Sequence, residues 1–415
     1  MRTAILGSVY LALVNFVAAN NDQLSYDGYK VYRVKTGKNL QAIQAKLASF
    51  DFEQWNHDSA SHIDIVIPPS ETASFEALGL DFHIMHANLG DSITAESAPT
   101  TANARRQDDG LSWYDSYHPY ADHVSSGKSY EGRDLYGLHL WGSGGPGKPA
   151  VLYHGTVHAR EWISAPVVEY ITYQLVTGYK SNDSTARTFL DSYDFFILPF
   201  VNPDGFVYSQ TTNRLWRKNR QPGPNNSTCY GRDINRNWEF AWNATARGAS
   251  SNPCSETYKG EAPSDTPENK GLDAFVRKLR DDQGIKLFID WHSYGQDILS
   301  PYGYNETLYA PELGKWTKAA NLVSGAIREA TSDRTTFTFG PSGAALYATT
   351  GAAPDHVYSI GGADFSYTIE LRDTGDAGFV LPPEQIRPSV IEQWEGQKVL
   401  ISLLDEVFFD GRGPA

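Results

Sequence analysis

The sequence predicts a large α/β domain with a parallel or mixed sheet, preceded by a small α+β domain. Its 415 residues exceed one ordinary domain, which favours a two-part architecture. From residue 134 onward, short and almost continuous apolar segments alternate with helical patterns, as they do around sheets buried on both faces. Before residue 106, alternating strand patterns and helical stripes share a shorter stretch, which suits a separate small domain.

Residues 1–19 have the features of a secretory signal peptide. Arg2 gives a positive start, the run from Ala4 to Ala19 is mostly apolar, and it ends in small residues suited to cleavage. No later stretch reaches the roughly 20 apolar residues that a membrane-spanning helix needs. We therefore expect a secreted, extracellular protein without a membrane anchor.

A small α+β pattern follows the signal peptide. Its expected strands and helices alternate, and they lie at 29–35 (strand), 39–50 (helix), 62–68 (strand), 72–80 (helix) and 81–87 (strand). Residues 90–110 are polar and rich in small side chains, so they predict an exposed, cleavable linker. Arg105 and Arg106 would suit an activating protease at this linker, and an ordinary interdomain linker is the alternative reading.

The α/β pattern occupies the rest of the chain. Its clearest segments are strands at 134–141, 149–155, 193–202, 285–293 and 365–373, and a helix at 164–179. Three of the strands end in polar breaks, with the sequences NPDG, WHSYG and ELRDTG. Ligand sites in open α/β sheets form at the carboxyl ends of strands, so we expect the functional residues at these breaks.

The charge balance excludes one class of partner. The formal net charge is −14, whereas a nucleic-acid-binding protein normally has a basic surface. A local basic cluster, RLWRKNR at 214–220, stands out from this acidic background. We therefore expect no nucleic-acid partner, and the charge balance alone assigns no role to the cluster.

A metal site is indicated after the strand at 149–155. His158 and Glu161 lie three residues apart, so one turn could bring both onto a single ion. His292 ends an apolar strand and is the natural third ligand, which matches the three His or carboxylate ligands of a hydrolytic zinc site. His154 is a rival ligand on the same segment as His158, and a hydrogen-bonded structural histidine is the alternative for His292.

The same chemistry needs a base, for which Glu370 is the candidate. It lies at the end of the strand at 365–373, and ionised groups are rarely buried without a partner. A salt bridge with Arg372 is the alternative explanation for its position.

The two cysteines and five glycosylation motifs concern the secretory route. In an oxidising compartment Cys229 and Cys254 would be joined, and a zinc-binding pair is the competing interpretation. Sites for N-linked glycans are expected at Asn182, Asn225, Asn226, Asn243 and Asn305.

Taken together, these segments resemble the secreted metallocarboxypeptidases of the carboxypeptidase A type. The resemblance is carried, in chain order, by HAREW, LWRKNR, GRDINRNW, PCSETYKG, WHSYGQ, SPYGY, ELRDTG and GFVLPPEQI. It implies a mixed, twisted eight-stranded sheet flanked by helices, and a disulfide between Cys229 and Cys254. It also implies a monomeric fungal proenzyme with an activation pro-domain and linker over 20–106 and a catalytic domain over 107–415.

The resemblance also implies a role for each matching residue. One Zn²⁺ per chain would be held by His158, Glu161 and His292. Catalysis would use Glu370 as the base that activates the zinc-bound water and Arg217 as the group that steadies the oxyanion. Substrate contacts would come from Asn235 and Arg236 at the terminal carboxylate, from Tyr347 as a mobile cover, and from Arg160, Arg214, Ser293, Tyr294 and Phe379 along the cleft.

The expected reaction is the release of single C-terminal residues from peptides and proteins. Pro354 stands where basic-specific relatives carry aspartate, so aromatic or aliphatic terminal residues are expected, although proline also departs from the usual isoleucine. The neighbouring pocket positions are Leu346, Thr368 and Gly303. Asp290 is a second departure, which could add charge to the pocket or lie behind it as a supporting or structural residue.

Two rival functions remain at this stage. One is a non-enzymatic binding protein of the same fold, which would normally have lost a ligand or the base. The other is a zinc amidohydrolase of small acyl-amino acids, which would not need the pair Asn235 and Arg236.

Overall fold

Two β-sheets organise the chain, and the computed structural model describes them over residues 24–56, 61–97 and 125–406. The expected signal peptide, the Arg105–Arg106 pair and the start of the expected mature chain lie outside the described residues. None of the helices in the described ranges is both long and apolar enough to cross a membrane.

The N-terminal domain is built on a four-stranded antiparallel sheet with the order β2-β3-β1-β4. Its elements are β1 (Lys30–Lys35), α1 (Leu40–Leu47), β2 (Glu53–Gln54), β3 (His62–Ile67), α2 (Thr72–Glu76), β4 (Phe82–His86) and α3 (Leu89–Ser97). Strand alternation gives the sheet two apolar faces. Tyr32 and Ile65 pack in the core of this domain, whereas Val31 and Val66 pack against Leu215 and other residues of the following domain.

The sequence predicted a polar linker from residue 90, but its first part forms helix α3. The helix is held by a contact that is distant in sequence, because the buried Glu96 carboxylate accepts hydrogen bonds from Arg214 at 2.6 and 2.6 Å. Ile93 also packs against the apolar cluster between the two domains. Tertiary contacts therefore order a segment whose composition is typical of a loop.

The second domain contains the expected mixed eight-stranded sheet, with the order β11-β10-β12-β9-β7-β8-β6-β5. Its strands are β5 (Ser125–Lys128), β6 (Asp134–Leu140), β7 (Ala150–Gly155), β8 (Asp194–Phe200), β9 (Ile285–His292), β10 (Asp297–Ser300), β11 (Thr338–Pro341) and β12 (Phe365–Glu370). Its helices are α4 (Ser164–Lys180), α5 (Ser184–Ser192), α6 (Pro203–Thr211), α7 (Pro267–Asp282), α8 (Leu313–Ala330), α9 (Ser342–Ala345), α10 (Ala353–Ser359) and α11 (Ile386–Ser402). The predicted strands and helix of this domain are thus confirmed.

The centre of the sheet is parallel and buried on both faces. Strand β9 pairs in parallel with β7 on one side and with β12 on the other. One apolar cluster packs helices α4, α8 and α11 on one face, and a second packs α7 and α10 on the other face. Because the three central strands run in the same direction, their carboxyl ends meet at one edge of the sheet.

The loops beyond that edge are crosslinked by one disulfide. Cys229 and Cys254 are bonded, with their Cα atoms 5.1 Å apart, so the zinc-pair interpretation of the cysteines is wrong. Four of the five candidate glycosylation sites are exposed and one is half-buried; they are Asn182, Asn225, Asn226, Asn243 and, half-buried, Asn305. Glycosylation of these residues stays a prediction.

Candidate metal centre and active site

Three metal-ligand side chains converge at the carboxyl edge of the sheet. His158 and Glu161 lie on the turn between β7 and α4, and His292 is the last residue of β9. The Glu161 carboxylate lies 2.8 Å from His158 Nδ1 and 3.0 Å from His292 Nδ1, and the two Nδ1 atoms are 3.1 Å apart. All three side chains are buried.

This donor set fits a zinc ion. Two imidazole nitrogens and a carboxylate oxygen lie within 4.8 Å of one another, and they are the ligand types of catalytic zinc sites. Two Nδ1 lone pairs that face each other in a buried site need a cation between them. Glu161 is suited to the same cation, because the two histidines hold its pKa well below the usual range against the effect of burial.

A carboxylate lies behind each imidazole. Asp233 Oδ1 is 3.1 Å from Nε2 of His158, and Asp290 Oδ2 is 2.9 Å from Nε2 of His292. Burial opposes ionisation of Asp233, but Arg217 and His158 hold its pKa well below the usual range. Sequence reasoning missed Asp233, because it lies in a loop without strand or helix periodicity; its place in GRDINRNW was the one available signal.

Glu370 lies beside the donor set. It is the last residue of β12, and the parallel register places it opposite His292. Burial raises the pKa of its carboxyl to about 8, and the nearby Asp297 carboxylate adds to the rise. Arg372 pairs with Glu392 and Asp333, so the salt bridge considered as an alternative for Glu370 is not formed.

Two arginine side chains form the wall on the other side. Arg217 donates to Asp233 Oδ2 from Nη2 at 2.8 Å and from Nε at 3.1 Å. Arg236 donates from Nε to the Gly248 carbonyl at 2.7 Å and from Nη1 to the Asn235 carbonyl at 2.8 Å. These bonds fix the direction of both guanidinium groups before any substrate arrives.

A cavity of about 690 Å³ joins these groups to a pocket between β10, β12 and α10. It brings together eleven of the thirteen residues that the resemblance singled out: His158, Glu161, Arg217, Asn235, Arg236, His292, Ser293, Tyr294, Tyr347, Glu370 and Phe379. The expected pocket positions also line it, namely Gly303, Leu346, Pro354 and Thr368. Asp290 is buried behind His292 and is not part of this wall.

The other two predicted residues, Arg160 and Arg214, pair with glutamates of the N-terminal domain. Arg160 donates to Glu53 at 3.0 Å and lies over the Phe379 ring, while Arg214 holds Glu96.

The N-terminal domain itself forms part of the cavity wall. Its Trp55 packs against Phe379 and Tyr294, and Asp64 accepts a hydrogen bond of 2.6 Å from Tyr294 Oη. Arg33 donates to the Thr374 carbonyl. Arg33 and Trp55 line the same cavity as the donor set, so this domain covers the entrance of the site.

His154 does not join the donor cluster. It lies on β7 between the Trp238 ring, which it stacks on with 6.3 Å between centroids, and the edge of Phe288. The rival ligand assignment of His154 is therefore wrong, and its neighbour across the sheet is Asp290.

Comparisons with known proteins agree with this geometry. The family described as zinc carboxypeptidase matches residues 114–396, and the family described as carboxypeptidase activation peptide matches residues 32–96. A metallocarboxypeptidase A-like protein of Trichophyton verrucosum is 40% identical, and the match covers 97% of this chain and 100% of that protein.

Solved structures share the fold over both domains. A crystal structure of thrombin activatable fibrinolysis inhibitor superposes with a TM-score of 0.81 at 27% identity, covering 91% of this chain and 99% of that one. The carboxypeptidase A of Helicoverpa armigera superposes with a TM-score of 0.77 at 26% identity, covering 91% and 98%. With its His-Glu-His zinc site and its activation peptide, the chain belongs to the zinc carboxypeptidase family and is a metallocarboxypeptidase of the carboxypeptidase A type.

Proposed function

We propose that this enzyme releases single aromatic or aliphatic residues from the C-termini of peptides and proteins. The observation that carries the proposal is one cavity that is lined by the zinc ligands, by Glu370, by the fixed guanidinium of Arg236 and by the apolar pocket residues. A terminal residue held by its carboxylate at Arg236 would place its peptide bond between the pocket and the zinc ligands.

Glu370 is the proposed general base. His158, Glu161 and His292 would hold the zinc ion, which would supply a Lewis acid able to lower the pKa of water at this site to about 7. The Glu370 carboxylate faces the same point from the neighbouring strand, and its raised pKa suits proton uptake near neutral pH. The protonated carboxyl can then pass the proton to the leaving amine.

Arg217 is the proposed stabiliser of the negative charge that develops on the carbonyl oxygen. Asp233 holds its guanidinium through two hydrogen bonds, so no reorientation is needed during the reaction. Removing one such donor typically costs about 3–4 kcal/mol of barrier.

Arg236 and Asn235 are the proposed contacts for the terminal carboxylate. Arginine can bind a carboxylate through two parallel hydrogen bonds, which a lysine cannot reproduce. Asn235 is held in place because its Oδ1 accepts a hydrogen bond of 2.8 Å from the Ala353 amide. A peptide bond in mid-chain has no carboxylate to offer, which limits cleavage to the last bond.

The pocket supports the preference for an apolar side chain. Pro354 and Leu299 line it, and the Asp355 carboxylate, which also lines it, is already engaged. Both oxygens of Asp355 accept hydrogen bonds from backbone amides of Gly303 and Tyr304 at 2.9–3.1 Å. Burial also raises the pKa of Asp355 to about 7, which weakens its attraction for a basic side chain.

The test uses pairs of peptides with free or amidated C-termini, over a panel of terminal residues. We expect cleavage of free peptides that end in aromatic or aliphatic residues, little cleavage of amidated ones, and inhibition by a zinc chelator. Arg236→Ala should raise KM for free peptides, and Arg236→Lys should restore only part of the binding. Equal cleavage of amidated and free peptides by the parent enzyme would contradict the proposed exopeptidase action.

The proposed enzyme is secreted as a monomeric, latent proenzyme. Its proposed parts are a signal peptide (1–19), an activation domain with its linker (20–106) and a catalytic domain (107–415). The contacts of Glu53 with Arg160, of Trp55 with Phe379 and of Glu96 with Arg214 support latency, because they engage side chains that are proposed to contact the substrate. An activating protease that cuts near Arg105–Arg106 would then release activity.

A further inference from the structure

Asp290 is a buried carboxylate with one close partner. It lies on β9 two residues before His292, so both side chains point to the same face of the strand. Its Oδ2 lies 2.9 Å from His292 Nε2, and the residue is 1% exposed. Within the described part of the chain neither of its oxygens has a directed hydrogen bond, so the approach to His292 is a close ion-pair contact, and Asn235 Nδ2 also lies 3.3 Å from His292 Nε2.

The orientation of His292 makes this partner chemically important. Its Nδ1 faces the donor set, because that atom lies 3.0 Å from Glu161 and 3.1 Å from His158 Nδ1. A neutral imidazole that offers its Nδ1 lone pair to a metal carries its proton on Nε2, where an acceptor fixes the ring and the tautomer. Asp233 stands in this place behind His158, and Asp290 stands in it behind His292.

His154 is the neighbour of Asp290 on the adjacent strand. The parallel register of β7 and β9 puts His154 opposite Asp290. Burial lowers the pKa of His154 to about 4 although the Asp290 charge opposes this shift, so His154 is a neutral imidazole near Asp290. Its Nε2 atom is buried and has no hydrogen-bond partner among the described residues.

We infer that Asp290 is a positioning residue of the zinc site and that His154 supports it. The row His154–Asp290–His292 keeps the proton of His292 on Nε2 and turns Nδ1 toward the metal. Neither His154 nor Asp290 lines the substrate cavity, so both residues act through His292 and not on the substrate.

The experiment measures zinc affinity of the full-length chain by competition with a chromophoric chelator. Asp290→Ala should weaken zinc binding by about 10- to 100-fold, as the loss of such supporting partners does. Asp290→Asn should lose less, because its amide oxygen can still accept the Nε2 proton. His154→Ala should weaken binding to a smaller degree, and combined with Asp290→Ala it should add little, since both changes act through one row.

Asp194→Asn is the matched control. Asp194 is another fully buried carboxylate that lies 2.9 Å from a histidine Nε2, that of His139, but it is not part of the donor set. The zinc affinity of the Asp194→Asn variant should equal that of the parent, even if the substitution changes the melting temperature of the metal-free protein. If Asp290→Ala binds zinc within twofold of the parent, the inference is wrong. If Asp290→Ala does not fold, Asp290→Leu, which fills the site without an acceptor, replaces it, and zinc binding by that variant within twofold of the parent contradicts the inference in the same way.

Discussion

Glu96→Ala should activate the uncut proenzyme. Glu96 and Arg214 form a two-point ion pair at 2.6 Å, and their side chains are 0% and 2% exposed. Removing one member of a buried pair typically costs about 3–5 kcal/mol, because the other charge stays buried without a partner. At about 1.4 kcal/mol per tenfold, the ratio of closed to open proenzyme should fall by about two to three and a half orders of magnitude.

The assay is peptide turnover by chains that gel electrophoresis shows to be uncut, compared with the fully processed enzyme. Glu96→Gln keeps most of the side-chain shape and should give an intermediate gain. Asp81→Ala is the control within the same domain: Asp81 pairs with Lys35 at the surface, and exposed ion pairs contribute little. If the Glu96→Ala proenzyme keeps its melting temperature and is no more active than the parent and the control, Glu96 does not hold the domain over the cleft.

Three further outcomes are expected. Glu370→Gln should retain zinc but lower kcat by about 10²-fold or more, and a near-normal kcat would assign the base to another residue. Asp297→Asn should move the acid limb of the kcat/KM profile to lower pH, because removing the Asp297 charge lowers the pKa of Glu370 and keeps the base ionised in more acidic solution; an unmoved limb would speak against this coupling. Replacing Cys229 and Cys254 by serine opens a crosslink between residues 25 apart in sequence and should cost about 3 kcal/mol of stability, which thermal unfolding measures.

The strands and the zinc ligands could be predicted because their signals are local. The apolar segment that ends at His292 is a strand in both the sequence pattern and the structure. The turn spacing of His158 and Glu161 likewise placed two ligands on one ion. The position of Glu370 opposite His292 could not be predicted from local patterns. Strands β9 and β12 are neighbours in the sheet, but β10 and β11 separate them along the chain.

The contacts between the two domains were also beyond local reasoning. Helix α3 has the composition of a loop, and the partner that orders it, Arg214, lies 118 residues away in sequence. Asp290 could be recognised as unusual from strand alternation, but its role depended on which side chain it would meet. The structure resolves that choice in favour of His292, with His154 on the adjacent strand.

The position of the covering contacts along the chain has a consequence for processing. Arg33, Glu53, Trp55, Asp64 and Glu96 all precede the stretch between residues 97 and 125 in which the expected cut falls. Cutting there breaks no described contact between the N-terminal domain and the cleft. It only removes the covalent link between the two domains. The tether gives the attached domain a high effective concentration, which the cut removes. Freshly cut enzyme should therefore gain activity on dilution, and the released domain should act as a diffusible competitor of peptide substrates until it is degraded.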